Sequence, residues 1–339
     1  MALVPYGLVK QILFRFNPEA AHELSLKGLN LLHKLHLITL LFGKTKRKPV
    51  VVMGINFPNR VGLAAGLDKD GEYFQALSEC GFGFVEIGTV TPVAQDGNEK
   101  PRLFRITEAQ AIINRMGFNN KGVDHLLGQV KASSFKGVLG INIGKNKYTS
   151  EKNSINDYLI CFEKVYEHAD YVTINISSPN TPGLRELQFG DSLNNLLGEL
   201  KLKQQELTKQ LDRYVPVVVK IAPDMDDEAI ESMASTFKKY AIDGVIVSNT
   251  TLSRQGVEGL QYADEQGGLS GAPLKDRSDH ALQVMASHLK GEIPIIAVGG
   301  ISSADNAEKK IQLGASLVQI YTGFIYQGPS LVHACVERL

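Results

Sequence analysis

The sequence predicts an α/β protein, a (β/α)8 TIM barrel with a small α-helical extension before it. Three observations support this fold class. From residue 61 onward, eight short apolar stretches alternate with helical ones. Each stretch ends in glycine or polar residues, and continuous apolar strands covered by intervening helices are typical of a parallel sheet, which eight such units close into a barrel. The turn after the first stretch, residues 65–69 (AGLDK), lacks the glycine fingerprint that a doubly wound dinucleotide fold would need.

The eight predicted strands follow one another with longer connections after the second, fourth and sixth. They span residues 61–67, 84–90, 138–144, 171–178, 217–222, 244–250, 295–300 and 317–323. In such a barrel every strand delivers its C-terminal residues to the same mouth. The residues at the strand ends can therefore be interpreted together as one candidate site.

Residues 1–48 are interpreted as a separate helical unit and residues 49–339 as the barrel domain. Asn17-Pro18 is a typical helix start. Between residues 20 and 42, apolar residues recur at three- and four-residue spacing, which predicts two short amphipathic helices. These helices either pack on the barrel or lie on a membrane surface, where the basic residues between 44 and 48 would meet anionic lipid. The apolar residues that open the chain are Leu3, Val4, Leu8, Ile12, Leu13 and Phe16.

The composition limits the possible partners. The chain has 339 residues, 43% of them hydrophobic, and its 36 basic and 36 acidic residues give no net charge. A nucleic-acid-binding protein usually has a basic excess, so that class is disfavoured. Cys80, Cys161 and Cys335 are far apart, which fits reduced thiols in a cytosolic compartment. No run approaches the roughly 20 apolar residues of a spanning helix, and the N-terminus is not a typical signal peptide.

The segment that follows the predicted fourth strand places a hydroxyl among amides. Apolar and polar side chains alternate over residues 171–178, and Pro179 ends the strand because it has no N–H for a sheet ladder. Ser178 then lies at the rim between Asn175 and Asn180, before a loop. One such segment alone is more often an ordinary turn. It gains weight because the other strand ends are similar.

The other strand ends carry mostly amides, hydroxyls, glycines and lysines, with few carboxylates and no histidine. They are Ala65, Gly66, Asp68, Lys69, Thr89, Asn142, Lys220, Ser248, Asn249, Thr250, Gly299, Gly300, Tyr321, Thr322 and Gly323, with residues 114–118 in the long second connection. Such a mouth suits a planar, anionic ligand that forms hydrogen bonds. A metal would need clustered His, Cys, Asp or Glu, so no metal site is predicted.

Glycine-rich segments after the last two strands indicate a phosphate site. Residues 298–302 (VGGIS) and 321–323 (YTG) occupy the position where barrels hold phosphate with backbone N–H groups, and residues 267–271 (GGLSG) could add a loop. Each glycine alone is weak evidence, because most glycines lie in turns. Together they suggest a phosphate ester. If that ester is a flavin, Lys220 would balance the negative charge of its reduced ring.

Ten motifs along the chain, from about residue 5 to the C-terminus, resemble those of one family. They are AAGLDK at 64–69, GFGFVEIGTVTP at 81–92, NRMGFNN at 114–120, INIGKNK at 141–147, NISSPNTPGL at 175–184, VKIAPD at 219–224, SNTT at 248–251, GGLSG at 267–271, AVGGI at 297–301 and QIYTG at 319–323. Jointly they resemble the dihydroorotate dehydrogenases of the second, quinone-linked class. The resemblance implies a barrel that binds FMN and converts dihydroorotate to orotate in pyrimidine synthesis.

Two features favour the quinone-linked class. Members that use soluble acceptors (fumarate or NAD) have cysteine as the base where this chain has Ser178. Quinone-linked members have serine there and an N-terminal helical extension like residues 1–48. The resemblance therefore implies a peripheral membrane protein at the cytoplasmic face of the inner (cell) membrane, and a monomer.

The resemblance also implies residue roles. Ser178 would take the proton from substrate C5 while a hydride passes from C6 to flavin N5. Because a serine hydroxyl is a poor base without a relay, Thr181 and Phe118 would form the proton's exit, and Lys69 completes the catalytic set. The substrate residues would be Lys69, Asn114, Asn175, Asn180, Asn249 and Thr250, with backbone help from Arg115, Met116, Gly117 and Phe118. The FMN residues would be Ala65, Gly66, Leu67, Asp68, Lys69, Thr89, Asn142, Asn175, Lys220, Ser248, Gly271, Gly300, Tyr321 and Thr322. The quinone residues would be His22, Arg105 and Tyr321, with apolar walls from Phe16 and Leu24.

Other interpretations of the same residues stay open. A flavin barrel that reduces a different ring, such as a dihydrouridine synthase, would need a basic RNA-binding surface, which zero net charge does not favour. A non-enzymatic barrel that binds a phosphorylated metabolite would not need a rim hydroxyl, a strand-end lysine and a closing loop together. Asp68 beside Lys69 could form only an ion pair. Arg185 and Gln188 are expected in a solvated loop that could act as a lid.

Overall fold

Eight parallel strands form a closed barrel in the computed structural model, which describes residues 6–339. The strands of the described chain are β1 (Val50–Val52), β2 (Ile55–Phe57), β3 (Val61–Leu63), β4 (Phe84–Val90), β5 (Leu103–Ile106), β6 (Ala111–Asn114), β7 (Val138–Ile143), β8 (Tyr171–Asn175), β9 (Val217–Ile221), β10 (Gly244–Val247), β11 (Gly268–Gly271), β12 (Ile295–Val298) and β13 (Leu317–Ile320). Around the barrel the order is β3, β4, β7, β8, β9, β10, β12 and β13, which closes on β3. The predicted (β/α)8 barrel is confirmed.

The barrel strands begin at the predicted residues, and all but β4 end earlier than predicted. The residues beyond each strand leave the ladder because they are glycine, proline or polar groups that turn into the mouth. Gly66 has a φ of 107°, a conformation that disfavours any side chain. Most of the residues in this overshoot line the site.

The barrel strands are buried on both faces, so the helical side and the interior have separate cores. Val85 and Ile141 belong to the large cluster between the barrel and its helices. Phe84, Tyr171 and Val218 point the other way and fill the lower interior. The hairpin of β1 and β2 closes this lower end. The base of the barrel is therefore filled, and open space remains only towards the mouth.

Helices cover the outside of the barrel and extend beyond it at the N-terminus. They are α1 (Tyr6–Leu13), α2 (Pro18–Lys34), α3 (Ile38–Phe42), α4 (Phe74–Ser78), α5 (Val123–Ala132), α6 (Ser154–Val165), α7 (Gly190–Leu211), α8 (Asp227–Lys239), α9 (Lys275–Leu289), α10 (Ala304–Gln312), α11 (Thr322–Gln327) and α12 (Pro329–Arg338). Capping side chains fix the starts of α2, described below, and of two later helices. Asp226 accepts from the Ala229 N–H before α8, and Ser303 from the Asn306 N–H before α10.

The longer connections after the second and sixth barrel strands meet above the mouth. They supply β5, β6 and β11, which form a three-stranded antiparallel sheet. This sheet has its own small core around Phe104, Ile113 and Leu269. This sheet positions residues 111–118 along one side of the mouth. Residues 114–118 were predicted to lie in the long second connection, which agrees with this position.

The N-terminal extension is helical, and the two helices predicted between residues 20 and 42 are present as the 17-residue α2 and the short α3. A further helix, α1, precedes them and was not predicted. Asn17 caps α2 as its sequence predicted, with its side chain accepting from the Glu19 N–H. The chain leaves α2 at His36, whose φ of 57° lies in the left-handed region. Leu3 and Val4 lie outside the described residues. Within residues 6–339, no helix is long and apolar enough to cross a membrane.

Candidate active site

A cavity of about 1120 Å³, counting its open mouth, occupies the C-terminal end of the barrel. Most of the predicted site residues line it. They are Ala65, Gly66, Lys69, Thr89, Asn114, Met116, Gly117, Phe118, Asn175, Ser178, Asn180, Lys220, Ser248, Asn249, Thr250, Gly271, Gly300, Tyr321 and Thr322.

Of the residues predicted for catalysis, substrate or FMN, five do not line this cavity. Asp68 instead caps a turn, where its carboxylate accepts from the N–H groups of Glu72 at 3.0 Å and Tyr73 at 2.7 Å. Burial raises the pKa of this carboxyl to about 6. The Arg115 side chain leaves the site and pairs with Glu265 at 2.7 Å. Leu67 lines the second cavity described below, Asn142 lies behind Thr89, and Thr181 is buried.

Ser178 lies where β8 gives way to the rim, and its side chain is largely buried. Its Oγ accepts a hydrogen bond from the Asn180 N–H at 3.2 Å. Asn180 in turn donates its side-chain amide to the Asn114 carbonyl at 3.1 Å. Among residues 6–339, no carboxylate or imidazole forms a hydrogen bond with Ser178. Its hydroxyl is therefore presented to the cavity without a strong base beside it.

A chain of hydrogen bonds fixes the amides beneath the cavity. Asn175 Nδ2 donates to Thr89 Oγ1 at 2.9 Å, and Thr89 Oγ1 donates to Asn142 Oδ1 at 2.6 Å. Asn142 Nδ2 donates to the buried Glu86 at 2.8 Å. Because Glu86 also accepts from Tyr171 at 2.9 Å, the network is rooted in the filled lower barrel. These amides are held in fixed orientations before a ligand arrives.

Two lysines, Lys69 and Lys220, lie at the cavity wall. Neither Lys69 nor Lys220 forms an ion pair or hydrogen bond with another described residue. Burial lowers the pKa of Lys69 to about 8, and the nearby Arg102 guanidinium acts in the same direction. Burial also lowers the pKa of Lys220. A buried ammonium is unfavourable without a counter-charge, so both lysines favour an anionic ligand.

Backbone donors face the cavity beyond β12 and β13. The Gly300 N–H has no acceptor among the described residues and lies at the cavity wall. Thr322 donates its hydroxyl to Ser270 at 2.8 Å on the same wall. Gly323 packs so closely that a Cβ there would lie 2.2 Å from the Ile301 carbonyl oxygen. This corner is therefore a close-fitting set of donors of the kind that binds phosphate.

A second, apolar cavity of about 1710 Å³, including its opening, separates α1 and α2 from the barrel. His22, Arg105 and Tyr321 line it, as does Leu24, whereas Phe16 is exposed and does not. The Arg105 guanidinium donates to the Phe16 carbonyl at 2.5 Å. Burial lowers the pKa of His22 to about 4, and the charge of Lys69 adds to this effect. Tyr321 lines both cavities and forms part of the wall between them.

Comparison with known proteins decides the family. The family model for dihydroorotate dehydrogenase matches residues 49–339. This chain belongs to the dihydroorotate dehydrogenase family. A relative from Idiomarina loihiensis named dihydroorotate dehydrogenase (quinone) is 60% identical over 334 residues, which cover 98% of this chain and 100% of the relative. One of the same name from Saccharophagus degradans is 58% identical and covers 98% of each chain.

Solved structures of dihydroorotate dehydrogenase from Eimeria tenella share the fold. The complex with ferulenol gives a TM-score of 0.84 at 36% identity, covering 95% of this chain and 90% of that one. The ligand-free structure gives 0.83 at 36% identity, covering 93% of each. The two relatives named dihydroorotate dehydrogenase (quinone) confirm the resemblance to the quinone-linked members of the family.

In this dihydroorotate dehydrogenase family member, the connection after β8 is not the solvated loop that the sequence suggested. Gln188 is buried and accepts from the Ala222 N–H at 2.9 Å. Arg185 donates to the Ser177 carbonyl at 3.0 Å and to Asp224 at 3.0 Å. Arg185 and Gln188 point inward because they form hydrogen bonds with backbone groups just beyond the ends of β8 and β9. The local sequence of the loop does not reveal these contacts. These hydrogen bonds hold the connection after β8 in place at the rim beside Ser178.

Two residues of this family site were missed from sequence. Glu86 accepts the last hydrogen bond of the amide network. The sequence could have indicated its importance, because it is a single carboxylate within an apolar strand, FVEIG. Arg102 pairs with Glu19 of α2 at 2.7 Å and ties the extension to the mouth. Its position, three residues before Arg105 on the way into β5, gave no such signal. Only the fold brings it to α2.

Proposed function

We propose that the protein oxidises (S)-dihydroorotate to orotate at the barrel mouth and passes the electrons to a quinone beneath the N-terminal helices. One observation carries this proposal: a polar cavity and an apolar cavity share Tyr321 as a wall. The polar cavity has the donors and lysines that a charged pyrimidine needs. The apolar one suits a ring with a hydrocarbon tail.

We infer that FMN occupies the inner part of the polar cavity, because the residues there fit it. Lys220 offers the ring an ammonium that has no partner among residues 6–339, and the backbone N–H groups of Gly300 and Thr322 offer donors to the phosphate. FMN, when bound, supplies acceptance of a hydride and release of two electrons. The cavity residues assigned to it are Ala65, Gly66, Lys69, Thr89, Asn175, Lys220, Ser248, Gly271, Gly300, Tyr321 and Thr322, and Asn142 would act from behind Thr89.

The outer part of the cavity would bind dihydroorotate. Lys69 has a pKa of about 8, so it is mostly protonated at neutral pH and can pair with the substrate carboxylate. Amide side chains match the alternating N–H and C=O groups of the pyrimidine ring. Those assigned to it are Asn114, Asn175, Asn180 and Asn249, with Thr250 beside them. Their hydrogen bonds to one another and to the rim reduce the reorganisation needed when substrate binds.

Ser178 would accept the proton from C5. As the C5–H bond breaks, its electron pair forms the C5=C6 double bond, and C6 gives up its hydrogen with two electrons. The hydroxyl must lose its own proton to serve as base, so it needs an outlet. Thr181, three residues on, is buried with an Oγ1 that lacks any hydrogen-bond partner, and it is the proposed next step of that outlet. Phe118 at the cavity wall would keep bulk water away from the reacting carbons.

The N-terminal helices would place the apolar cavity at a membrane. Their exposed apolar side chains include Leu8, Ile12, Phe16, Leu24, Leu31, Leu35 and Leu40. Of the basic residues expected to meet lipid, Lys46 and Lys48 instead contact Glu337, each at 2.6 Å, which leaves Lys44 and Arg47 for that role. The chain would thus act as a peripheral monomer at the cytoplasmic face of the cell membrane, with quinone entering between α1 and α2.

Anaerobic mixing tests the function directly. Purified protein should be yellow, its flavin absorbance should bleach with dihydroorotate, and it should recover with a short-chain ubiquinone. Bleaching without recovery by quinone would show that the acceptor is another molecule. Flavin that dihydroorotate does not bleach would contradict the proposed substrate.

A further inference from the structure

A fully buried lysine lies behind the phosphate corner of the polar cavity. Lys310 of α10 has no exposed side-chain surface, whereas its neighbour Lys309 is exposed. The Lys310 ammonium forms an ion pair with Asp279 at 2.7 Å and donates a hydrogen bond to Ser278. Burial of an ammonium is unfavourable and persists only when its partners hold it in a defined place. The proposed reaction makes no use of this group.

Ser278 of α9 connects Lys310 by hydrogen bonds to the backbone of the loop after β12. The Ser278 Oγ lies 3.0 Å from the Gly299 carbonyl oxygen and 3.1 Å from the Lys275 carbonyl oxygen. An ammonium can only donate, so the Ser278 oxygen must be the acceptor from Lys310. The hydroxyl hydrogen is then directed to the side of these two carbonyls, of which that of Gly299 is the nearer.

The Gly299 carbonyl controls the direction of a cavity donor. In a trans peptide the carbonyl of one residue and the N–H of the next point to opposite sides of one plane. A Gly299 carbonyl held towards Ser278 therefore directs the Gly300 N–H away from α9. That N–H has no acceptor among the residues that the structure describes, and Gly300 lines the cavity.

Close packing keeps this loop from shifting. Gly300 has a φ of 72°, and a Cβ there would lie 2.2 Å from the Cα of Lys275, at the start of α9. A Cβ on Gly299 would lie 3.0 Å from the Ser278 Oγ. The loop backbone thus rests directly on α9, so its remaining freedom is the tilt of the peptide plane that Ser278 holds.

We propose that Lys310 and Ser278 are positioning residues for a phosphate monoester, the phosphate of the bound flavin nucleotide. Acting through the Gly299 carbonyl, they aim the Gly300 N–H at that phosphate. This inference rests on the flavin site proposed above and adds to it residues that never touch the ligand. It implies that their effect depends on the phosphate and not on the flavin ring.

Comparison of FMN with riboflavin tests this dependence, because riboflavin lacks the phosphate. The bound flavin of the full-length protein is exchanged, and the affinity for each flavin is measured by fluorescence quenching. Ser278→Ala should weaken FMN binding about tenfold, which is about 1.4 kcal/mol, and change riboflavin binding less than about twofold. Lys310→Met should weaken FMN binding at least as much, and the exposed control Lys309→Met should change neither. The ³¹P resonance of bound FMN should shift in the first two variants only.

Equal losses for FMN and riboflavin would mean that the pair only stabilises the fold, and no loss in Ser278→Ala would mean that it does not position the donor. Either result overturns the inference. If Lys310→Met does not fold, the small substitution Ser278→Ala still decides. Wild-type protein that binds neither flavin would instead contradict the proposed function, so the two failures are distinguishable.

Discussion

The barrel mouth and the N-terminal helices differ in how their side chains are held. At the mouth, Asn175, Thr89 and Asn142 are tied by hydrogen bonds to a carboxylate in the filled barrel. The cavity beneath α1 and α2 is lined mainly by apolar side chains, and many apolar residues of these helices are exposed. This difference suggests that the two regions serve different steps. The hydrogen-bonded mouth would hold the substrate in the exact geometry that oxidation needs, and the helical layer would admit and release a large apolar acceptor.

The largest effect should come from a substitution at the mouth. Ser178→Ala removes the proposed base and should slow flavin reduction by dihydroorotate about 10²- to 10⁴-fold, the usual contribution of a positioned proton acceptor. FMN content and reoxidation by quinone should not change. Anaerobic stopped-flow absorbance measures both steps. Flavin reduction at the wild-type rate would remove Ser178 as the base.

The matching substitution in the helical layer should affect only the other step. Arg105→Ala should slow reoxidation by quinone about 10- to 100-fold, the range expected when charged hydrogen bonds are lost. Arg105 also holds the Phe14 and Phe16 carbonyls, so a small soluble acceptor serves as control. Reoxidation by that acceptor should be unaffected. An equal loss with both acceptors would indicate a general disturbance of the site.

A pH dependence should distinguish the mouth from the helical layer. The Lys69 ammonium is charged below its pKa of about 8, so the affinity for orotate should be constant at lower pH. As the pH rises through about 8 the charge is lost, and the dissociation constant should rise about tenfold per pH unit. The shift of flavin absorbance on orotate binding reports this constant. Lys69→Met should bind orotate weakly with no such slope, and a flat wild-type profile would contradict the assignment.

The smallest effect on turnover should come from the exposed surface of the helices. Leu8 and Leu40 are each 59% exposed and do not line the apolar cavity. Replacing both with glutamate should weaken binding to anionic vesicles roughly tenfold or more, because burial of a leucine contributes about 1.5–3 kcal/mol. Turnover with a water-soluble quinone should be unchanged. Leu202→Glu, at a 61% exposed residue of α7, is the matched control for vesicle flotation and should bind as wild type does.

Much of the fold and most of the mouth followed from sequence, because strand periodicity and barrel topology are local signals. The apolar starts of the barrel strands, such as Val61 and Phe84, were predicted correctly. The strand ends were not, since Gly66 lies within the predicted span of the first strand but has a φ of 107°, which a strand cannot continue. The family motifs supplied the roles of the rim residues, and these roles stay proposals.

Side-chain direction was the part that sequence could not supply. Arg115 and Asn114 are adjacent in one motif, yet Asn114 faces the cavity and the Arg115 side chain pairs with Glu265. Gln188 reads as a loop residue and is buried because it satisfies the Ala222 N–H. The Glu19 contact to Arg102 joins residues 83 positions apart. Such contacts depend on tertiary packing, which no local pattern encodes.

The division between the two regions is tested most directly by one double-mixing experiment. Wild type, Ser178→Ala, Arg105→Ala and the double variant are each reduced anaerobically with dihydroorotate and then mixed with quinone. The account predicts that the first variant is slow only in reduction and the second only in reoxidation. The double variant should show both defects at their single-variant sizes, as independent sites require. A variant that slows both steps, or a double variant whose defects are not additive, would contradict the separation of the two half-reactions.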